Sequence, residues 1–349
     1  MERALKGLSG LNDIKPLVRE FEKTFAAYIG VDNAVAVNSG SDALKMALLA
    51  AGVGPGDEVI VPNLTYQAVA LAVFYVGAKP VPVDARAVDL QMDYALLEKA
   101  ITKQTKAIIA AHMFGRPCDI ENIGQFCRNK NILFIEDVCQ AESSRYNGRM
   151  LGSFGDMATF SFSYYKPLSS CGGGGGMVVF NGDKGNRIRP WMEDWRNDGE
   201  LLKLGQRFAP MSFMDLIALR VKFSHLKEII KSRHKIKAMY EQALSTIEGL
   251  TIFKDRPGIE SVAQNFVVCC EQRDRMIDFL AAQGVTVQKP YLPLHQMDVL
   301  KGIGKSNFPV SEWYSATALH LPLHSFMSQE KAQNVVECCR SFLVGNVQQ

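Results

Sequence analysis

Five short apolar runs, each followed by a turn and most by a helical pattern, restrict the fold of this chain more than any other feature. They cover residues 34–37, 59–62, 79–84, 106–112 and 132–137. Each is almost continuously apolar, not alternating. That pattern belongs to strands buried on both faces, as in a mainly parallel sheet covered by helices. Residues 17–29, 43–51, 67–75, 94–101 and 120–129 carry apolar side chains at helical spacing, and Gly30 stops the first of these helices. The expected fold is therefore α/β, a three-layer, mainly parallel sheet. Ligands of such sheets gather at the carboxyl ends of the strands. Four candidates sit there: the turn Ser39–Asp42, the pair Thr65–Tyr66, His112 and Asp137. Ser41 or Asp42 is placed to cap the helix that follows, and a strand, a Gly/Ser turn and a helix together favour a bound phosphate. Simple helix capping explains the same residues.

A second stretch, residues 156–176, reads as a buried strand running from Asp156 to a lone lysine, Lys166, followed by five glycines, Gly172 to Gly176. A lysine held between an apolar strand and a glycine turn is partly desolvated, which disfavours its ammonium form and makes it a usable nucleophile toward a carbonyl. A surface lysine closing a strand is the plainer reading of this stretch taken alone. The glycines lack the Lys-Ser/Thr of a Walker-type loop, and no GxGxxG opens a helix. Beyond Phe180 the pattern loosens, with Trp191 and Trp195 in a mixed segment. A long helical pattern follows over 212–245, then a strand at 266–270 and helices at 273–283 and 329–343. Two domains are expected: residues 1–225, a large cofactor-binding α/β domain, and 226–349, a small α+β domain.

The formal charge of +3 leaves no footprint for a nucleic acid. The eight cysteines show no CxxC spacing and read as buried thiols of a reducing compartment. The N-terminal residues have no apolar signal-like core, and the apolar run 68–76 is too short to span a bilayer. The expectation is a cytoplasmic protein with no membrane partner.

Lys166, Asp137, Tyr66, Ser161 and the Ser41–Asp42 turn form a coherent set. A lysine makes an imine, a carboxylate keeps a pyridine nitrogen protonated, amides and a hydroxyl hold a phosphate, and an aromatic stacks on a ring. Those are the needs of pyridoxal 5'-phosphate. The chain at this point resembles the sugar-nucleotide aminotransferases of the DegT/StrS group, fold-type I pyridoxal phosphate enzymes, over about residues 15–343. The resemblance is carried by Ser39-Gly40-Ser41-Asp42-Ala43-Leu44, Gly54-Pro55-Gly56-Asp57-Glu58, His112-Met113-Phe114-Gly115-Arg116-Pro117, Glu136-Asp137-Val138-Cys139-Gln140-Ala141, Phe160-Ser161-Phe162 and Tyr291-Leu292-Pro293-Leu294-His295 in that order.

The resemblance implies that Lys166 bonds the cofactor and moves the proton, and that Asp137 partners the pyridine nitrogen. It places Gln140 beside the phenolic oxygen, Ser161 and the Ser41–Asp42 turn on the phosphate, and Tyr66 on the ring. It further implies a homodimer with shared sites, and transfer of an amino group from an amino acid, glutamate by analogy, to a nucleotide-linked keto-sugar. Two departures stand out. Phe208 occupies the position of the family's cross-subunit asparagine, so Gln206 or Arg207 would substitute, Arg207 being proposed for the phosphate because its guanidinium suits one, and Gly173 replaces an acidic residue of the glycine turn. A keto-cyclitol substrate, a pyridoxal phosphate lyase or dehydratase, and a non-catalytic regulator of the same fold are the competing readings.

Overall fold

The computed structural model describes residues 14–194, 208–300 and 307–346. Its elements run α1 (Lys15–Ile29), β1 (Asn33–Val37), α2 (Gly40–Ala50), β2 (Glu58–Pro62), α3 (Ala68–Tyr75), β3 (Lys79–Val83), a short α4 (Leu97–Ala100), β4 (Thr105–Ala111), α5 (Ile120–Lys130) and β5 (Leu133–Asp137). A hairpin of β6 (Arg145–Tyr146) and β7 (Arg149–Met150) leads to β8 (Met157–Ser161), β9 (Gly176–Phe180) and α6 (Ile188–Asp194). Then come α7 (Phe213–Ser224), α8 (Leu226–Leu244), β10 (Thr251–Ile252), β11 (Ile259–Glu260), β12 (Phe266–Cys269), α9 (Arg273–Ala282), α10 (Pro309–Thr317), β13 (Ala318–Leu321) and α11 (Gln329–Asn346).

The main sheet has seven strands in the order β1-β9-β8-β5-β4-β2-β3. The five from β8 to β3 are mutually parallel, and β9 runs antiparallel to both its neighbours. Strand residues divide by parity between two cores. Ala34, Ala36, Ile108 and Ala110 pack with Phe21, Phe25, Phe160 and Leu216 on one face. Val35, Val37, Ala107 and Ile109 pack with Leu44, Val69 and Phe208 on the other. Both faces are covered, which is why the strands read as unbroken apolar runs.

A second, antiparallel sheet, β10-β12-β13, packs against α8, α9 and α11 through Tyr240, Leu280 and Val336. The cluster of Ala111, Phe114, Val267 and Tyr314 joins the two sheets. No helix among the described residues is long and apolar enough to cross a membrane.

Several expectations need correction. The strand of the lysine stretch stops at Ser161, and Lys166 stands beyond it in a turn closed by its own amide on the Ser163 carbonyl (3.0 Å). The helical pattern over 212–245 is two helices broken at His225, where the Ser224 hydroxyl donates back to the Val221 carbonyl and competes with the backbone ladder. Residues 94–101 form a 3₁₀ turn and one helical turn, too short for the expected helix. The cap of α2 is Ser39, whose Oγ accepts the Asp42 amide, and not Ser41 or Asp42. All eight cysteines are free; Cys171 is exposed and Cys139 half-buried, so not all are buried thiols.

Candidate active site

A cavity of about 910 Å³ opens where the carboxyl ends of the main-sheet strands meet the second sheet. Ser41, Tyr66, Asp137, Gln140, Ser161 and Lys166 all line it, together with Thr65 and His112. Asp42 does not: its carboxylate pairs with Lys45 at 2.6 Å and accepts the Ser39 hydroxyl at 3.1 Å, so the helix start reaches the cavity through Ser39, Gly40 and Ser41. Arg207 and Trp195 lie outside the described residues.

Each wall residue is set by a local constraint. Asp137 ends β5, and its Oδ1 accepts the Cys139 amide (3.0 Å), which leaves Oδ2 for a donor in the cavity. The preceding residue, Glu136, points to the opposite side of the strand. It is fully buried and accepts the amides of Gly152, Phe154 and Gly155 at 2.6–2.8 Å, which fixes the turn into β8. The Cys118 amide donates to His112 Nδ1 (3.2 Å), so the ring proton sits on Nε2, facing Glu136 Oε2 at 3.1 Å. The Phe114 amide donates to Gln140 Oε1 (2.9 Å), which leaves the Gln140 NH₂ as its free donor.

Ser161 lies against the first turn of α2. A Cβ at Gly40 would stand 2.7 Å from Ser161 Cβ, so the glycine permits the approach. The same contact brings Cys139 close, and burial and then Asp137 hold its thiol protonated.

The glycine turn has an equally concrete cause. Gly172 donates to Asp215 Oδ1 (2.8 Å), and a Cβ on Gly172 or Gly174 would meet that carboxylate at 2.7 or 3.0 Å. A Cβ on Gly173 would lie 2.2 Å from the Tyr164 ring, whose hydroxyl donates to the Gly172 carbonyl (3.1 Å). The backbone at Gly173 also has φ +74°, in the left-handed region. Glycine at 173 thus accommodates Tyr164, and the turn wraps two side chains that the sequence did not link to it. Phe208 is buried in the core beside α2, with the Lys45 ammonium 5.5 Å from its ring centroid. It serves packing there.

Sequence reasoning missed the wall supplied by the second sheet and α8. His320 on β13 is buried; Asn265 Nδ2 lies 3.2 Å from its Nδ1 and the Tyr314 hydroxyl 2.8 Å from its Nε2, and burial pushes its pKa down to about 4. Lys222 of α7 donates to Ser169 Oγ (2.5 Å), and burial lowers its pKa. Arg233 of α8 donates to the Ala263 and Gln264 carbonyls, and burial lowers its pKa to about 10. The signal available for this wall was Tyr291, which opens the Tyr291–His295 motif.

The cavity also presents buried polar atoms without partners among the described residues: Thr65 Oγ1, Gln264 Oε1 and Asn265 Oδ1. Orphaned groups on a cavity wall are donors and acceptors held ready for a ligand. The set is hydroxyls and first-turn amides at one point, a carboxylate, an amide NH₂, an aromatic and a lysine. Those groups fit a phosphorylated, zwitterionic pyridine aldehyde.

The family described as DegT/DnrJ/EryC1/StrS aminotransferase matches residues 9–340. The dTDP-3-amino-3,4,6-trideoxy-alpha-D-glucose transaminase of Streptomyces venezuelae is 33% identical over 341 residues, covering 96% of this chain and 89% of that protein. The erythromycin biosynthesis sensory transduction protein EryC1 of Saccharopolyspora erythraea is 35% identical over 319 residues, 90% of this chain and 87% of its own length. The solved structure of S. venezuelae DesV in complex with a ketimine intermediate superposes with a TM-score of 0.86 at 32% identity, covering 94% of this chain and 89% of that one.

Proposed function

This chain belongs to the DegT/DnrJ/EryC1/StrS aminotransferase family, and from that membership we propose a pyridoxal phosphate-dependent transaminase that moves an amino group from an amino acid, glutamate by preference, to a nucleotide-linked keto-sugar. The observation that carries this reading is the meeting of Lys166, Asp137, Gln140 and Ser161 on one cavity wall, brought together from two segments, one running on from the end of β5 and one from the end of β8, with Ser41 and Tyr66 added from two more. The similarity to the S. venezuelae transaminase supports the choice of a deoxy-keto-sugar on a nucleoside diphosphate.

When bound, the cofactor supplies an electron sink that stabilises charge on the carbon losing a proton. The chain's residues do the rest. The first-turn amides of α2, with Ser41 and Ser161, hold the phosphate, as helix N-termini do for anions. Thr65 Oγ1, without a partner among the described residues, is an additional donor on the same wall. Asp137 Oδ2 would accept from the ring nitrogen and keep it charged. The NH₂ of Gln140 would donate to the phenolic oxygen. Tyr66, half exposed in the loop after β2, would cover one ring face. Lys166 would be the residue that holds the cofactor's aldehyde and, with its amine free, the base and then the acid for the proton moved between adjacent carbons. Arg207 is retained as a proposed phosphate ligand.

Tyr66, Tyr164, Tyr165 and Phe326 are 52–93% exposed at the cavity mouth. A second copy of the chain covering that rim is part of this proposal, as is a reducing, cytoplasmic setting for eight free cysteines.

The test is a half-reaction. Protein loaded with pyridoxal phosphate and mixed with glutamate releases stoichiometric 2-oxoglutarate, and a nucleotide keto-sugar restores the starting spectrum with an aminated product. A second reading, a cofactor-holding regulator, is favoured by the name of the S. erythraea relative. Failure to release any 2-oxoglutarate, with cofactor still bound, selects it.

A further inference from the structure

Glu142 lies two residues beyond Gln140 and is fully buried. Its Oε1 accepts the Leu168 amide (3.3 Å), two residues along from Lys166. Its Oε2 is buried and has no hydrogen-bond partner among the described residues. Two cations act on it, Lys166 and Arg233. The guanidinium of Arg233 is committed to the carbonyls of Ala263 and Gln264 and makes no hydrogen bond to Glu142. The Lys166 backbone amide is used in its own turn, and its ammonium has no hydrogen bond or ion pair among the described residues. Cys139 and Tyr28 also sense Glu142; a thiol and a phenol are uncharged at neutral pH, and burial raises both further. A buried carboxylate oxygen without a donor is costly unless a cation compensates it.

We propose that Glu142 is a positioning residue for Lys166: its carboxylate anchors the turn through the Leu168 amide and, when ionised, holds positive charge on the Lys166 nitrogen. The inference rests on reading Lys166 as the cofactor lysine and adds what sets its charge. Burial pushes Glu142 up to about 7 against the pull of Lys166, the amides and Arg233, so its charge changes within the physiological range. A free Lys166 amine that has taken up a proton favours the carboxylate; a Lys166 nitrogen bonded and uncharged favours the carboxylic acid. Glu142 thereby supplies a counter-charge at the steps where Lys166 carries a proton.

The test uses full-length chain without cofactor. Trace acetic anhydride acylates amines in their neutral form, and mass spectrometry follows the Lys166 peptide. Glu142→Gln keeps the shape and the acceptor for Leu168 but removes the charge. At pH 7.5 Lys166 of this variant is acylated roughly three- to tenfold faster than in the wild type. Glu142→Asp, which restores the charge, returns the rate toward wild type. Equal rates in wild type and Glu142→Gln, at equal melting temperature, overturn the proposal. If Glu142→Gln does not fold, the wild-type profile decides: the logarithm of the Lys166 rate plotted against pH bends near 7, where Glu142 ionises, and an unbroken straight line there overturns it. No turnover is involved, so this result stands apart from the success or failure of the transaminase reading.

Discussion

The two sides of the cavity are built on different terms. On the main-sheet side, Asp137, Gln140 and His112 are each buried and each fixed by a backbone amide from a neighbouring turn. At the mouth, Tyr164, Tyr165 and Phe326 are 63%, 78% and 93% exposed, and they project from turns between elements. The first side is pre-organised for one invariant ligand. The second is shaped by residues free to differ without disturbing the sheet, and the proposed function would place the acceptor there.

Substitutions on the fixed side should cost most. Phe208→Ala empties a fully buried aromatic position and lowers stability by about 3–5 kcal/mol in denaturant unfolding, whereas Tyr165→Ala on the exposed side stays within about 0.5 kcal/mol. If the two cost alike, Phe208 is not the packing residue described. Asp137→Asn keeps the bond to Cys139 but loses the charge opposite the ring nitrogen, and kcat falls about 10²-fold or more while cofactor still binds.

The glycine turn joins the two sides and gives a sharper comparison. Gly173→Ala loses about 1–3 kcal/mol, because its methyl meets the Tyr164 ring and its backbone is left-handed. Adding Tyr164→Ala recovers the steric part and leaves about 1 kcal/mol, so a double-mutant cycle reads a non-additive pair. Additive losses would separate Gly173 from Tyr164.

The smallest effect is in pH dependence. The pKa of His320 is held down to about 4, so the unfolded chain binds more protons below pH 6.5 and stability is lost as pH falls toward 4. Glu142, raised to about 7 from 4.5, acts oppositely: the folded chain binds the extra proton, and stability is gained as pH falls from 7 toward 4.5. The two slopes oppose one another in the wild type. Glu142→Gln removes the opposing slope and leaves the histidine's, so its unfolding free energy drops between pH 6.5 and 4.5 more steeply than the wild type's, by on the order of 1 kcal/mol per pH unit. Parallel curves would remove Glu142 from this role.

What the sequence disclosed follows the same division. The strands were legible because a parallel sheet buries both faces, and Thr65, Tyr66, His112 and Asp137 were legible because they end those strands. Ser161 and Gln140 came through motifs. His320 and Asn265 were hidden because they reach the cavity from a second sheet far along the chain, and nothing local marks them. Glu142 looked like any polar residue of a turn. Asp42 was assigned to the ligand by its place in the turn, but Lys45 three residues on draws its carboxylate away. The five glycines signalled a turn; their cause, Asp215 and Tyr164, is a contact visible only in three dimensions.

The central claim is that Lys166 is the lysine that bonds the cofactor, and the cavity contains a competitor, Lys222, that is itself partly desolvated. Borohydride reduction of the protein loaded with pyridoxal phosphate, followed by peptide mass mapping, tests it directly. The account predicts one pyridoxyl group per chain, on the Lys166 peptide, absent from Lys166→Ala. Labelling of Lys222, or no stoichiometric label at all, would contradict it.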